Sequence, residues 1–157
     1  MDIYYKPISE SGKQMINYVC KYAPVELFKG FGQECAVLEE MPENFDKSDK
    51  IAHANLCGFG KSVIQAVLEG KVEELVLVNC CDSMRRVYDI IENTKKCKFL
   101  YMLDLPHEDN ECENIKFAQS ILRLKNAYER YSHRTFDREL FIKSFAKPQS
   151  ERKPYIG

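Results

Sequence analysis

No apolar run in this chain of 157 residues approaches the roughly 20 residues that a membrane-spanning helix needs. The opening "MDIYYKPISESGK" lacks the basic-then-apolar order of a secretory signal, so a cytoplasmic location and no membrane partner are expected. Neither sign of charge is in excess: 23 Lys and Arg stand against 24 Asp and Glu, a formal net charge of -1. That balance gives no electrostatic case for nucleic acid, and the short basic pair Arg152 and Lys153 does not reverse it. Internal repeats and low-complexity segments are lacking as well.

Several chemistry-bearing motifs are also missing. No Cys-x-x-Cys or His pair with finger spacing exists, which leaves zinc weakly supported. In "NLCGFGKS" a phosphate loop would need glycine five positions before its Gly-Lys-Ser, and Asn55 stands there instead. Gly58 and Gly60 then allow close backbone approach to whatever Cys57 holds, or merely a turn into a helix. No Ser/His/Asp order stands out for acyl transfer. His53, His107 and His133 are scattered, the first two near the strand-end edge described below.

What the chain does have is cysteine: seven residues, an odd and high number for its length. Without an export signal these are expected to be reduced, as free thiols, metal ligands or redox groups rather than a disulfide framework. Apolar residues make up 45%, enough for one domain with a real core.

Periodicity gives the organisation. "QMINYV" from Gln14 to Val19 reads as a strand, "APVELFKGFG" as a short helix started by Pro24, and "ECAVLEE" as a second strand. "MPENFDKSDK" reads as a surface loop. Val63, Ile64, Val67 and Leu68 recur at helical spacing from about Ala54 to Leu68, with Gly70 as a stop. "EELVLVN" is the pattern of a strand covered on both faces. A helix from about Ser83 to Glu92 follows, burying Val87, Ile90 and Ile91, and then a fourth strand, "CKFLYMLDL", ended by Pro106. A long amphipathic helix over about Glu111 to Tyr131 places Ile115, Ala118, Ile121, Leu122 and Tyr128 on one stripe. Thr135 or Asp137 caps a last short helix carrying Leu140, Phe141 and Phe145. Alternating strands and helices predict an α/β fold: a three-layer open sheet of about four parallel strands with helices on both faces, Rossmann- or flavodoxin-like. Residues 1–147 form the single domain in this reading, and the polar, proline-broken 148–157 a tail or truncated linker.

Open parallel sheets bind ligands beyond the carboxyl ends of their strands. Cys20 follows the first strand there, Cys80 and Cys81 the third, and Cys57 lies near a helix start. The free N–H groups of a helix N-terminus favour the thiolate that binds metal. Any one of these cysteines alone reads first as a small packed residue. Cys57 with Cys81 read together as a ligand pair, because both meet the same edge. Arg85 and Arg86 fall in the first turn after Asp82 and Ser83, where the helix field disfavours cations and Asp82 as N-cap offsets part of the cost. Either an anionic partner or a salt bridge to Asp89 or Glu92 would account for them.

These segments together resemble the 2-hydroxyacyl-CoA dehydratase D-component family, which includes the double-cubane cluster proteins. "YAPVELFKGFG" is similar to its Tyr-x-Pro-x-Glu-Leu…Gly segment, which contains Glu26. "HANLCGFGKS" is similar to its His-x-Asn-x-Cys segment, carried by His53, Asn55 and Cys57. "VNCCDSMRRVYD" matches Cys-Asp-x-x-Arg-Arg through Cys81, Arg85 and Arg86, and "LDLPH" matches the Leu-Pro-His that ends in His107. The order agrees from about Lys13 to Lys147, as in the N-terminal half of a family member.

The resemblance implies a part of an oxygen-sensitive lyase of anaerobic metabolism that dehydrates (R)-2-hydroxyacyl-CoA thioesters. An ATP-dependent activator would inject one electron through a [4Fe-4S] cluster to the thioester carbonyl, giving a ketyl radical whose β-elimination expels the hydroxyl. Cys57 and Cys81 match two of three cluster ligands. The third would come from a second domain or companion subunit, with Cys20 a further candidate. Cys80, on the other side of the strand end, reads either as an additional binding thiol or as simply packed. The alternatives are a double-cubane-type electron-transfer or reductase component, or a binding and assembly domain without a cluster. The short chain alone is not expected to be active.

Overall fold

All five residues of the strand Glu74–Val78 are buried, which requires cover on both faces of the sheet. The computed structural model, which describes residues 15–39 and 41–146, supplies that cover. In chain order the elements are β1 (Ile16–Tyr18), α1 (Val25–Lys29), β2 (Cys35–Val37), a 3-10 turn at Ser48–Lys50, α2 (Gly58–Leu68), β3 (Glu74–Val78), α3 (Asp82–Thr94), β4 (Phe99–Leu103), α4 (Glu111–Ser132) and α5 (Arg138–Phe145). The four strands pair in the order β2-β1-β3-β4, all in parallel. The α/β sheet expected from the sequence is therefore the architecture observed.

Strand alternation sorts the core into two halves. Leu75 and Leu77 pack with Val63, Ile64 and Val67 of α2 and Met84, Val87 and Ile91 of α3. Val76 and Val78 pack on the opposite side with Leu27 and Phe28 of α1 and Leu124 and Tyr128 of α4. Each such fully buried Val or Leu contributes about 1.5–3 kcal/mol, so β3 is the strongest anchor of the sheet. Its first residue, Glu74, is buried too, and its carboxylate accepts from the Tyr131 hydroxyl at 2.9 Å and the Tyr128 hydroxyl at 3.5 Å.

Three boundaries follow from local chemistry. Gly70 takes φ +76 just past the end of α2, the left-handed conformation that lets the chain leave the helix. Asn110 caps α4 by accepting from the Glu113 N–H at 2.9 Å. Of the two expected caps for α5 it is Asp137 that serves, accepting from the N–H groups of Glu139 at 2.8 Å and Leu140 at 3.1 Å.

Several expectations need correction. α2 begins at Gly58 rather than near Ala54, because residues 53–56 close a turn in which the Leu56 N–H bonds the His53 carbonyl at 3.0 Å. On α4 the stripe facing the sheet is Phe117, Ser120, Ile121, Leu124, Tyr128 and Tyr131. Ile115, Ala118 and Leu122 belong to the adjacent stripe and are exposed, since the aromatic residues around Tyr128 fix the helix rotation. Ile90 of α3 and Phe141 of α5 are only half-buried, and Leu140 and Phe145 are exposed. Gln14 and the proposed tail at 148–157 lie outside the described residues. Among the described residues no helix is long and apolar enough to cross a membrane.

Candidate functional site at the carboxyl edge of the sheet

The chain runs from β1 to β2 on one side and reaches β3 and β4 on the other, so the topology switches between β1 and β3. Open α/β sheets form their ligand crevice at such a switch, beyond the strands' carboxyl ends. Cys20 follows Tyr18 of β1 by two residues, and Cys80 and Cys81 follow Val78 of β3, so three thiols sit at the switch itself. α2 and α3 both start on this edge and pack closely. A Cβ added at Gly60 would lie 3.0 Å from Cγ2 of Val87 and 3.2 Å from Cγ of Leu56, so this helix approach depends on glycine.

Both family-matched cysteines are N-caps. Cys57 precedes α2 in extended conformation, and its Sγ accepts from the Gly60 N–H at 3.3 Å. Cys81 occupies the same position before α3, and its side chain makes no cap hydrogen bond. Both are exposed. Asp82 is thus not the N-cap but the first helical residue, where its charge still favours the positive end of the helix.

A cleft of about 450 Å³ opens between the two helix starts, lined by His53, Asn55 and Leu56 on one wall and Asp82, Ser83, Arg86, Asp89 and Ile90 on the other. Cys57 and Cys81 adjoin these two walls in sequence. The His53 ring organises its wall by accepting the Asn55 N–H at Nδ1, 3.2 Å away.

The arginines do not pair with Asp89 or Glu92. Arg86 Nε donates to Asp82 Oδ2 at 3.0 Å, one turn back on the same helix. Arg85 Nε donates to Asn79 Oδ1 at 2.6 Å, and Asn79 in turn donates to Asp104 at 3.2 Å. Asn79 and Asp104, which the motif reading passed over, join the ends of β3 and β4. Their only signal in the sequence is position, each directly after an apolar strand.

Cys80 is exposed rather than packed. Partial burial, with the fields of Cys20 and Cys81 and hydrogen bonding to them, pushes its pKa up to about 11. Cys35 and Cys97 are different: burial drives their pKa values up to about 12 and about 11, as for packed structural thiols.

The remaining matched residues stand apart. Glu26 lies in the first turn of α1, where its charge acts on Tyr18 and Cys35. His107 follows β4, and its backbone N–H donates to Glu113 at 3.3 Å, so it serves the start of α4. Among the described residues no group of three or more His, Cys, Asp or Glu side chains is arranged to hold a metal ion.

A family model described as 2-hydroxyglutaryl-CoA dehydratase, D-component, matches residues 20–155. No curated protein matches the chain.

Proposed function

The chain belongs to the 2-hydroxyglutaryl-CoA dehydratase D-component family, and from that premise we propose that it carries part of an iron–sulfur site in a 2-hydroxyacyl-CoA dehydratase-type enzyme. The observation that carries this reading is the paired N-cap placement of Cys57 and Cys81 at helices opening on one edge. Soft thiolates are the donor type that iron–sulfur clusters take. Two converging helix N-termini favour both the thiolates and the net negative charge of a thiolate-bound cluster. A bound cluster would supply one-electron transfer at low potential.

The donor set fits in kind and falls short in number, since the described residues hold no group of three metal-capable side chains. A companion subunit or second domain completes the set in this proposal, and an ATP-dependent activator supplies the electron. Arg85 and Arg86 each hold one protein acceptor through Nε. Their terminal amino groups remain as donors for an anionic cluster or for the phosphates of a CoA thioester.

Anaerobic reconstitution of the chain tests the proposal. Ferrous iron and sulfide are added with a small thiol that supplies the missing ligands. A broad thiolate-to-iron absorption in the visible is expected for the wild type and is lost in Cys57→Ser and Cys81→Ser. The same spectrum in wild type and both variants, or no spectrum in any of them, would leave the chain as a binding and assembly domain.

A further inference from the structure

β4 is the outermost strand of the sheet, and among the described residues no strand pairs with it on the side away from β3. We propose that two copies of this chain associate through this edge, their β4 strands running antiparallel about a two-fold axis at Tyr101.

The backbone decides which groups the edge offers. The Phe99 N–H donates to the Glu73 carbonyl at 3.3 Å, and the Leu103 carbonyl accepts from the Asn79 N–H at 2.8 Å. The odd-numbered residues of β4 therefore turn their peptide groups to β3, and Leu100 and Met102 turn theirs outward. Such a row is a template for another strand unless it is short, bulged or covered. β4 keeps an unbroken register with β3 over Phe99–Leu103, so it has no bulge. Its three middle residues are half-buried, where β3 is buried throughout. A groove of about 600 Å³ lies beside it, lined by Tyr88 and Asp89 of α3 and by Tyr101, Met102 and Asp104, so α3 does not close over the strand. The opposite edge, β2, has only three residues and offers less.

The sequence of this edge is complementary to itself. With Tyr101 opposite Tyr101 of the second copy, Leu100 falls opposite Met102. Those two exchange both N–H···O bonds on each side of the axis, as in the hydrogen-bonded pair of an antiparallel ladder. Phe99 falls opposite Leu103. Lys98 and Asp104, which flank the strand directly, are both exposed and fall opposite one another with opposite charge. Lys98 Nζ already donates to Glu73 at 2.7 Å and has further N–H donors to offer. On the α4 side the Phe99 and Tyr101 rings stack with centroids 6.3 Å apart, and pairing continues that aromatic row across the axis. Pro106 has no N–H and ends the ladder. A register displaced by two residues is poorer, because it sets Lys98 against Met102 or Leu100 against Asp104. The contact is isologous and closes at two copies. Cys57 and Cys81 take no part in it, so the proposal stands apart from the cluster reading.

The test follows the full chain, reduced and without added metal, by sedimentation equilibrium over a dilution series. A monomer–dimer equilibrium is expected, with the dimer at twice the chain mass. Met102→Pro removes an outward N–H and spares the bonds to β3, and should raise the dissociation constant at least about tenfold. Circular dichroism establishes that this variant is folded. Asp104→Lys sets Lys98 against a like charge and should weaken the dimer by about tenfold, and adding Lys98→Asp to it should restore the wild-type constant. The altered contacts with Asn79 and Glu73 are the same in monomer and dimer, so this charge reversal decides the matter even where Met102→Pro does not fold. A monomer at every concentration, a dimer indifferent to folded Met102→Pro or to Asp104→Lys, or no recovery on adding Lys98→Asp would overturn the proposal.

Discussion

Glu74 is a carboxyl group placed where charge is costly. It opens the most buried strand, 1% exposed, and faces two tyrosine hydroxyls on α4. Burial raises its pKa above the ordinary 4.5, while the hydrogen bonds from Tyr131 and Tyr128 act in the opposite direction. An acid whose pKa is higher folded than unfolded releases its proton more readily on unfolding. Its contribution to stability is therefore complete below the ordinary value and is lost as pH rises through the folded one. Glu74→Gln removes that titration and keeps an acceptor for the tyrosines. The variant should gain stability relative to wild type as pH rises above the ordinary 4.5, with the difference closing at low pH. Glu74→Ala differs because it strands the Tyr128 hydroxyl, on a residue only 1% exposed. An unsatisfied buried polar group costs about 1–3 kcal/mol, and the vacated space adds to it, giving about 2–4 kcal/mol. For a chain of this size that lowers Tm by about 5–15 °C. The chain has no tryptophan, so urea unfolding is followed by circular dichroism at several pH values. A Gln variant that tracks wild type at every pH, or an Ala variant within about 0.5 kcal/mol of it, would refute the argument.

Two further outcomes follow from packing and capping. Gly60→Leu forces side-chain atoms between α2 and α3 and should cost about 1–3 kcal/mol, whereas Gly60→Ala gains up to about 1 kcal/mol of helix propensity against a small clash and should be near neutral. Equal unfolding midpoints for the two variants would contradict the close approach. Asp137→Ala removes the acceptor of two N–H groups and should cost about 0.5–2 kcal/mol, confined to α5, with amide exchange accelerated at Glu139 and Leu140. Unchanged exchange at those two amides would mean that the cap does not hold the helix.

The sheet was legible because its strands carry strong and different patterns. "ELVLV" is apolar at nearly every position and is buried on both faces, as a central parallel strand must be. Gly70 marked a helix end through chemistry that works locally, and for α5 the same local chemistry narrowed the cap to Thr135 or Asp137. The rotation of α4 did not yield to the same reading. It presents two adjacent apolar stripes, and only contact with Phe28, Phe31 and Phe99 around Tyr128 selects one. The start of α3 shifted by one residue because Cys81 and Asp82 both suit a helix N-terminus, and periodicity does not separate neighbours. Cys80 was misplaced for a related reason: alternation predicts a side only while the strand lasts, and the chain turns at Val78. The partners of Arg85 depend on β4 lying beside β3, a long-range pairing that local motifs do not encode.

The central claim is that Cys57 and Cys81 act together as metal ligands. Thiol protection tests it most directly, residue by residue. The chain is reconstituted anaerobically with iron and sulfide, pulsed with an alkylating reagent and mapped by mass spectrometry, beside a sample without metal. Cys57 and Cys81 should both become protected, while Cys112, exposed at the start of α4, reacts equally in both samples. Equal alkylation of Cys57 and Cys81 with and without iron and sulfide would contradict the account.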